Sequence, residues 1–437
     1  MNGGGSIAEV LDRLSRSGWR EVEAFHKKGR SRTMRFTPYS DTTSLRQEEG
    51  WSVRAGDQRR SFFYAASGTP DPGVPWPEAD GAGLRLPSAR PGSPWSAPSN
   101  LDAPLIGEGE ARGFFSGLAR ELDNELAGAR LLSGYLDDGS SESHLLSSRE
   151  VATTVRHRVA SLHLEAVGSG TESTGVVLDI AERDARRFSP AALARRLADL
   201  ILVAEKRSSR SRDRGELLLA PVVASGLLAA LSDLWIGPNA RQLTVPLIDR
   251  NGRIGSPALT LIDNGRLPGS VLEAPFDGEG QPTRKIVLVE QGSFRQPLLA
   301  WWQCGSNPKL ASGCSLRPGW RDLPRPSATH LYLEPDRTVR AAELIQNLTR
   351  GYYLIGLDGP PRIHSDYSRF AAPVRGFAIA GGKPTGTVAR VWLVGSVSTL
   401  LNGIVSKARD LTFSAIGGGM VGSPTVLVKG LELRQQT

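Results

Sequence analysis

The chain has 437 residues, of which 39% are hydrophobic and 22% charged, a composition that favours a folded protein over a disordered one. Its length exceeds what one ordinary core accommodates, so we expect two domains. The formal net charge of +8 would attract acidic partners at long range, but the charge is scattered and a generally basic surface is the simpler explanation.

The sequence gives no sign of membrane insertion or of a disulfide framework. Residues 1–20 hold no apolar core segment, so no signal peptide is expected. The longest apolar run, residues 217–231, is broken by proline and glycine and falls short of the about 20 residues that a membrane helix needs. Cys304 and Cys314 match no zinc spacing and cannot staple a chain of this size. We therefore expect a cytoplasmic protein with reduced cysteines.

The N-terminal half is predicted to begin with a helix and a strand meander. An apolar helical face runs from Ser6 to Ser17. Residues 68–108 hold nine of the 29 prolines and indicate a long surface insertion, from which Trp76 and Trp95 pack back onto the body. Short runs of alternating polarity predict strands at residues 22–25, 33–36, 44–47, 51–54 and 60–64.

Further helices are predicted at residues 110–126 and 190–205, and further strands at 151–167 and 175–180. Residues 206–214 contain five basic residues in nine and no aromatic residue that could stack on a base, which favours a solvated linker over a nucleic-acid patch. The predicted domains are thus 1–205, with mixed helices and strands, and 215–437.

The C-terminal half is predicted to be richer in strands. A helix is expected from Pro221 to Leu234, and Asn251-Gly252 predicts a hairpin between strands at 243–248 and 256–262. Because strands and helices mix without regular βαβ alternation, the predicted fold class is α+β. The remaining predicted elements are strands at 217–220, 285–290, 330–333, 352–357, 374–380, 387–394, 411–415 and 425–431, and helices from Thr338 to Gly351 and from Val397 to Ser406.

No residue of this chain is predicted to catalyse a reaction or to bind a metal. No two histidines have the one-turn spacing, with a glutamate between them, that a zinc peptidase helix needs. Asp263, Asp277 and Glu279 could act as paired acids, but each adjoins Asn, Gly or Pro, so turn formation explains them better. Structural roles are predicted for all six histidines, which are His26, His144, His157, His163, His330 and His364.

Several weak motifs occur in a specific order along the chain. The strongest is Leu261-Ile-Asp-Asn-Gly followed by Phe276-Asp-Gly-Glu-Gly-Gln-Pro-Thr283. Together the motifs resemble the TldD/PmbA family over nearly the whole chain, and best from about residue 215 onward. The supporting segments are 49–56, 61–67, 226–231, 316–319, 334–335, 344–351, 364–368, 376–379, 382–383 and 422–428.

The resemblance implies a heterodimer that encloses an internal cavity. In this family a TldD-like subunit holds zinc through a His-Glu-x-x-x-His helix and a cysteine near its C-terminus, whereas a TldE-like subunit lacks these ligands. Here the corresponding helix positions are Ala229, Ala230 and Leu234, and the segment that begins at Thr412 has no cysteine. The resemblance therefore implies a non-catalytic TldE-like subunit without a cofactor, with zinc in its TldD-like partner.

The resemblance implies that the cavity binds extended peptides, or a product carried on an acidic carrier protein. His364, Ser365, Asp366 and Tyr367 are the candidates for lining that cavity or contacting substrate. Two alternatives stay open. One is a regulatory or nucleic-acid-binding protein, although the sequence shows no nucleic-acid-binding motif. The other is a homodimer that uses the acids of its second domain.

Overall fold

The computed structural model describes residues 6–92, 103–169, 175–205, 215–305, 307–416 and 419–435. Within these ranges the α-helices are α1 Ile7–Arg16, α2 Glu108–Glu125, α3 Pro190–Glu205, α4 Pro221–Ala230, α5 Ala240–Thr244, α6 Ala341–Gln346 and α7 Val397–Asn402. None of these helices is both long and apolar enough to cross a lipid bilayer. The linker predicted at 206–214 lies outside the described residues, and the predicted domain boundaries stay a prediction.

The strands of the N-terminal half form one antiparallel sheet in the order β4-β3-β2-β1-β5-β6-β7. Its strands are β1 Glu21–Phe36, β2 Asp41–Gly56, β3 Arg60–Ser67, β4 Gly81–Ala82, β5 Arg130–Ser147, β6 Ala152–Val167 and β7 Val176–Glu182.

Long strands replace the short ones that the sequence predicts. The runs at 22–25 and 33–36 both belong to β1, which continues through the polar residues between them because these pair with β2 and β5. The strand β5 was missed altogether, since Gly139 and a series of serines hide its alternation. Cross-strand hydrogen bonds thus extend strands through sequence that has low strand propensity of its own.

Two helices cover opposite ends of one face of this sheet. Helix α1 buries Val10 and Leu14 at the end that carries Trp51, in a cluster with the first strands. Helix α2 packs at the other end, where the Phe36 and Phe115 rings stack 5.1 Å apart. The middle of the face lies between the two helices.

Part of the proline-rich segment packs against the sheet. Trp76 packs against the rings of Trp51, Phe62 and Tyr64, which confirms its predicted contact with the body. Trp95 lies outside the described residues.

Two larger sheets build the C-terminal half. One has the order β11-β10-β9-β14-β21-β20, the other β19-β22-β8-β15-β17-β18-β23 with β16 paired to β17, and β12 and β13 form a separate pair. Both larger sheets and α4 contribute to one continuous core. The strands are β8 Glu216–Leu219, β9 Leu261–Asn264, β10 Lys285–Glu290, β11 Ser293–Phe294, β12 Ser315–Leu316, β13 Arg325–Pro326, β14 His330–Leu333, β15 Arg350–Leu357, β16 Arg362–Ile363, β17 Arg369–Ala380, β18 Lys383–Ser396, β19 Ile404–Lys407, β20 Thr412–Ile416, β21 Gly419–Ser423, β22 Val426–Val428 and β23 Glu432–Gln435.

Several local predictions in this half are wrong. The hairpin around Asn251-Gly252 does not form: Asp249 accepts hydrogen bonds from the backbone of Asn251 and Arg253 and makes the turn, but helical residues precede it. An Asn-Gly pair favours a turn but does not determine whether the flanking residues form strands. Helix α6 begins only at Ala341, and the helix predicted over 397–406 ends at Asn402, after which β19 begins.

Candidate functional site

The two elements on which the resemblance puts zinc ligands lie side by side. Helix α4 begins with Pro221 at its first turn, where proline fits because the missing N–H has no helical partner. It packs against β20 and β21, although almost 190 residues separate them in sequence. The fold therefore brings together two regions that the sequence could relate only through a family resemblance.

The side chains at these positions do not fit a zinc ion. Ala229 and Ala230 are half-buried at the end of α4 and carry no donor atom. Leu234 lies beyond the α-helix, in a short 3-10 turn, and its side chain is fully buried in the core, which corrects the prediction of a helix reaching that residue. Zinc needs three or four N, S or O ligands. Among the described residues, no three His, Cys, Asp or Glu side chains are grouped so that they could hold a metal.

The turn that contains the substrate-contact candidates is fastened to this same region. The Tyr367 hydroxyl donates a hydrogen bond of 2.5 Å to the carboxylate of Asp233, next to Leu234. Tyr367 has a φ of 58°, a left-handed conformation that is uncommon outside glycine and that clusters at functional sites. Burial, together with Asp233, raises the pKa of Tyr367 to about 12, so the phenol is a hydrogen-bond donor at neutral pH.

The other candidates in this turn are exposed. His364 and Asp366 lie 2.6 Å apart between Nδ1 and Oδ1, and Asp366 also accepts the backbone N–H of Ser368. His364, Ser365 and Asp366 face solvent in the single chain. The structure thus joins two predicted sets of residues through Asp233, which sequence reasoning missed because no motif marks it.

The motif Phe276–Thr283 is a buried structural loop. One carboxylate oxygen of Asp277 accepts the backbone N–H groups of Glu279 and Gln281, and the other accepts that of Ser315. Glu279 accepts the N–H of Trp301 at 2.8 Å and the hydroxyl of Ser315 at 2.5 Å. Burial raises the pKa of both carboxyl groups, and each lies near the other's negative charge. These bonds support turn formation rather than catalysis by this pair.

Beside this loop, a buried ion-pair network joins the two halves of the chain. Glu23 in β1 binds Arg54 of β2 at 2.6 and 2.9 Å and Arg317 of the C-terminal half at 2.5 Å. The three side chains are almost inaccessible to solvent. Burial alone would raise the pKa of Glu23, but Arg317 and Arg54 outweigh it and hold the value at about 2. The motif and the network together fix the N-terminal sheet against the C-terminal half.

A third buried acid, Asp263, stabilises the start of β14. It accepts the backbone N–H and the hydroxyl of Thr329, both at 2.8 Å. Burial raises its pKa to about 6. The neighbouring His330 lies 3.0 Å from the carbonyl of Asn264, and burial lowers its pKa to about 4. Both residues are buried, and their hydrogen bonds connect β9 to the start of β14.

The extended segment 84–92 covers this junction. The backbone N–H of Leu86 donates a hydrogen bond to the carboxylate of Glu21, and the backbone carbonyl of Ser88 accepts one from the side-chain amide of Gln281. Arg85 lies over the ring of Trp301, 5.3 Å from its centroid. Part of the predicted insertion is therefore a strap between the two halves rather than a free loop.

The C-terminal half matches a known family. Residues 212–435, about half of the chain, match the PmbA/TldA metallopeptidase C-terminal domain. The chain belongs to the PmbA/TldD family. The resemblance that the sequence motifs indicate is thereby confirmed.

Curated relatives in this family are distant. The metalloprotease PmbA of Escherichia coli O157:H7 is 24% identical over 313 residues, which cover 68% of this chain and 61% of that protein. A metalloprotease TldD homolog of Buchnera aphidicola is 24% identical over 174 residues, or 39% of this chain and 35% of that protein. The chain thus spans less than two thirds of the length of these relatives.

Solved structures match the whole fold. TldE from Thermococcus kodakarensis superposes with a TM-score of 0.85 at 19% identity, over 98% of this chain and all of that one. A Thermotoga maritima protein gives a TM-score of 0.82 at 15% identity, again over 98% of this chain. These matches confirm the mixed, strand-rich α+β fold class.

Proposed function

We propose that this chain is a non-catalytic, TldE-like subunit that pairs with a TldD-like zinc peptidase. In this proposal the pair encloses a chamber in which the partner's zinc-bound water cleaves extended peptides, or frees a product from an acidic carrier protein. The present chain holds the partner, completes the chamber wall and contacts the substrate through the turn at His364–Tyr367.

One observation carries the proposal. Helix α4 and strand β20 lie together in space, and the side chains at Ala229, Ala230 and Leu234 are hydrocarbon. Such side chains cannot hold zinc or lower the pKa of a bound water molecule. The likeness to the TldE fold supports the same assignment.

The test measures metal and turnover for the chain alone and in the pair. We expect the purified chain to bind no stoichiometric zinc and to hydrolyse no unfolded peptide. Mixed with a TldD-like protein that carries a His-Glu-x-x-x-His helix, it should co-elute as a heterodimer and support chelator-sensitive cleavage. The matched control is the same partner with that glutamate replaced by glutamine, which should still co-elute but be inactive. About one zinc per isolated chain, or chelator-sensitive turnover without a partner, would refute the proposal.

The acidic-substrate part of the proposal is tested separately. Attraction between opposite charges at exposed sites weakens as salt screens it. Cleavage of an acidic substrate by the pair should therefore slow as ionic strength rises, whereas cleavage of a neutral peptide should change less. Equal salt responses for the two substrates would refute the acidic-substrate hypothesis and leave the subunit assignment intact.

A further inference from the structure

A buried cluster of carboxyl and guanidinium groups lies where the two halves of the chain meet. It consists of the ion-pair network of Glu23, Arg54 and Arg317 together with Asp277 and Glu279 of the neighbouring loop. Glu279 interacts electrostatically with Arg54 and Glu23, and Arg317 interacts with Glu279. Glu23, Asp277, Glu279 and Arg317 are each no more than 9% exposed. Three acids and two bases therefore share a region that water barely reaches.

Both guanidinium groups of this cluster bind Glu23. Arg54 donates to it through Nε and Nη2, and Arg317 donates through Nη2. Within the described part of the chain, no cationic side chain lies within ion-pair distance of the carboxyl oxygens of Asp277 or Glu279. If all five groups were ionised, three carboxylates would face two guanidinium groups, and one buried negative charge would lack a partner.

The elements packed around the loop, as far as the structure describes them, supply no cation that balances this charge. Asp263, which approaches Cys314 from β9, adds a further acid. Burial raises the pKa of the Cys304 and Cys314 thiols, so both stay neutral. Arg85 and Arg90 of the strap are exposed and donate to backbone carbonyls instead. The ion pair of Arg149 and Glu21, which also lies at the junction, is balanced in itself.

The hydrogen bonds leave one oxygen of the acid pair open to a proton. Both oxygens of Asp277 accept backbone N–H groups, which stabilise its ionised form. In Glu279, Oε2 accepts from Trp301 and Ser315, whereas Oε1 accepts no hydrogen bond from a described residue. The buried side-chain oxygen of Gln281, in the same loop, also has no donor among these residues. A proton on Oε1 of Glu279 would thus displace no hydrogen bond, and a donor is what this part of the loop lacks.

An unpaired buried charge is far more costly than a buried neutral carboxyl group. We propose that Asp277 and Glu279 retain one proton between them at neutral pH, and that the junction between the two halves weakens when rising pH removes this proton. Burial, with Glu279 beside it, raises the pKa of Asp277 to about 7, and burial raises the pKa of Glu279 as well. The two acids titrate as one unit, so the proton is lost near neutrality. This pH sensitivity does not depend on the subunit assignment.

Glu279→Gln tests the proposal in the full chain. Glutamine keeps an acceptor for Trp301 and Ser315 but cannot ionise. Because folding raises the pKa of the pair, the stability it contributes is present at low pH and is lost as pH rises through about 7. The unfolding equilibrium constant of the wild type, divided by that of the variant, should therefore rise at least about tenfold between about pH 5 and about pH 8. Urea unfolding at a series of pH values gives this ratio.

Glu290→Gln is the matched control, since Glu290 pairs with Arg295 at 2.8 Å and both side chains are about half exposed. The same ratio, taken with this variant, should change less than about twofold over that pH range. Glu279→Gln should be more stable than the wild type at pH 8, a gain that a misfolded variant cannot show. A ratio for Glu279→Gln that does not change with pH would overturn the proposal.

Two further measurements separate a proton at the junction from a general effect of charge. Hydrogen exchange, corrected for intrinsic rates, should show protection of residues 84–92 and 299–303 falling with pH in the wild type but not in Glu279→Gln. Ser315→Ala should shift the midpoint of the pH dependence upward, because the hydroxyl stabilises the ionised form of Glu279. An unmoved midpoint would contradict the proposal. Stability that depends on potassium concentration in place of pH would overturn it in favour of a bound cation.

Discussion

At the scale of single residues, the unusual feature is how much charge lies buried between the two halves. Glu23 pairs with two guanidinium groups, and each of these would otherwise be a desolvated cation without a carboxylate. Burying an ion pair adds little net stability relative to an apolar contact, but breaking such a pair is costly because the remaining charge loses its partner. We therefore infer that the network specifies how the halves fit together more than it adds net stability.

We predict that Arg317→Ala destabilises the chain by about 3 to 5 kcal/mol, because buried Glu23 loses one of its two guanidinium partners and a cavity replaces the arginine side chain. The measurement is urea unfolding followed by circular dichroism. Arg295→Ala is the control, since Arg295 pairs with Glu290 at 2.8 Å but both side chains are about half exposed. It should cost less than about 1 kcal/mol. Similar decreases in the free energy of unfolding for the two variants would show that the buried network contributes no more to stability than an exposed ion pair.

At the scale of elements, the N-terminal sheet depends on a close approach to the C-terminal half. Gly50 in β2 faces the indole of Trp320, and a Cβ atom at position 50 would overlap that ring. Trp320 packs with Phe25, Leu145 and Val151 in a small cluster that spans both halves. The glycine is therefore required by packing rather than by backbone conformation.

We predict that Gly50→Ala destabilises the protein by about 1 to 3 kcal/mol, because the added methyl group must displace Trp320. Gly113→Ala is the matched control. Gly113 lies exposed within α2, and a Cβ atom there meets no neighbour within 4 Å, so the same change should stabilise the helix by about 1 kcal/mol. Thermal melting should show a lower melting temperature for Gly50→Ala and a higher one for Gly113→Ala. A stable Gly50→Ala variant with unchanged tryptophan fluorescence would contradict the packing argument.

At the scale of the whole molecule, buried titratable groups make stability depend on pH in opposing ways. Asp263, with a pKa raised to about 6, contributes stability that is present below the pKa of the unfolded state and is lost as pH rises through about 6. Glu23, with its pKa lowered to about 2, contributes stability that is lost as pH falls below about 4.5. Burial lowers the pKa values of His157 and His330 to about 4, so the stability that these two residues contribute is also lost as pH falls.

We predict that Asp263→Asn isolates one of these contributions. Asparagine keeps the shape and the acceptor for Thr329 but cannot ionise. Relative to the variant, the wild-type chain should lose up to about 3 kcal/mol between about pH 4 and about pH 7, since a shift of about two pKa units is worth about 3 kcal/mol. Urea unfolding of both proteins at a series of pH values gives the difference. A difference that stays constant with pH would mean that folding does not raise the pKa of Asp263.

The sequence predicted much of the fold and little of the site. Helices α2 and α3 and strands β6, β10 and β14 were predicted within a few residues, because each combines a clear apolar period with a distinct start or end. Strand β5 and the hairpin around Asn251 failed where pairing and packing outweigh local propensity. The hydrogen bond between Tyr367 and Asp233 could not be predicted, since only the fold brings residues 134 positions apart into contact.

By itself, the sequence determined the fold class and the family, because periodicity and the order of motifs are properties of the chain. Only the tertiary structure decided which residues meet. It placed α4 beside β20 and buried Asp277 and Glu279 in a structural loop. The reason is physical: proximity and burial fix pKa values and charge balance, and both arise from contacts between residues that are distant in sequence.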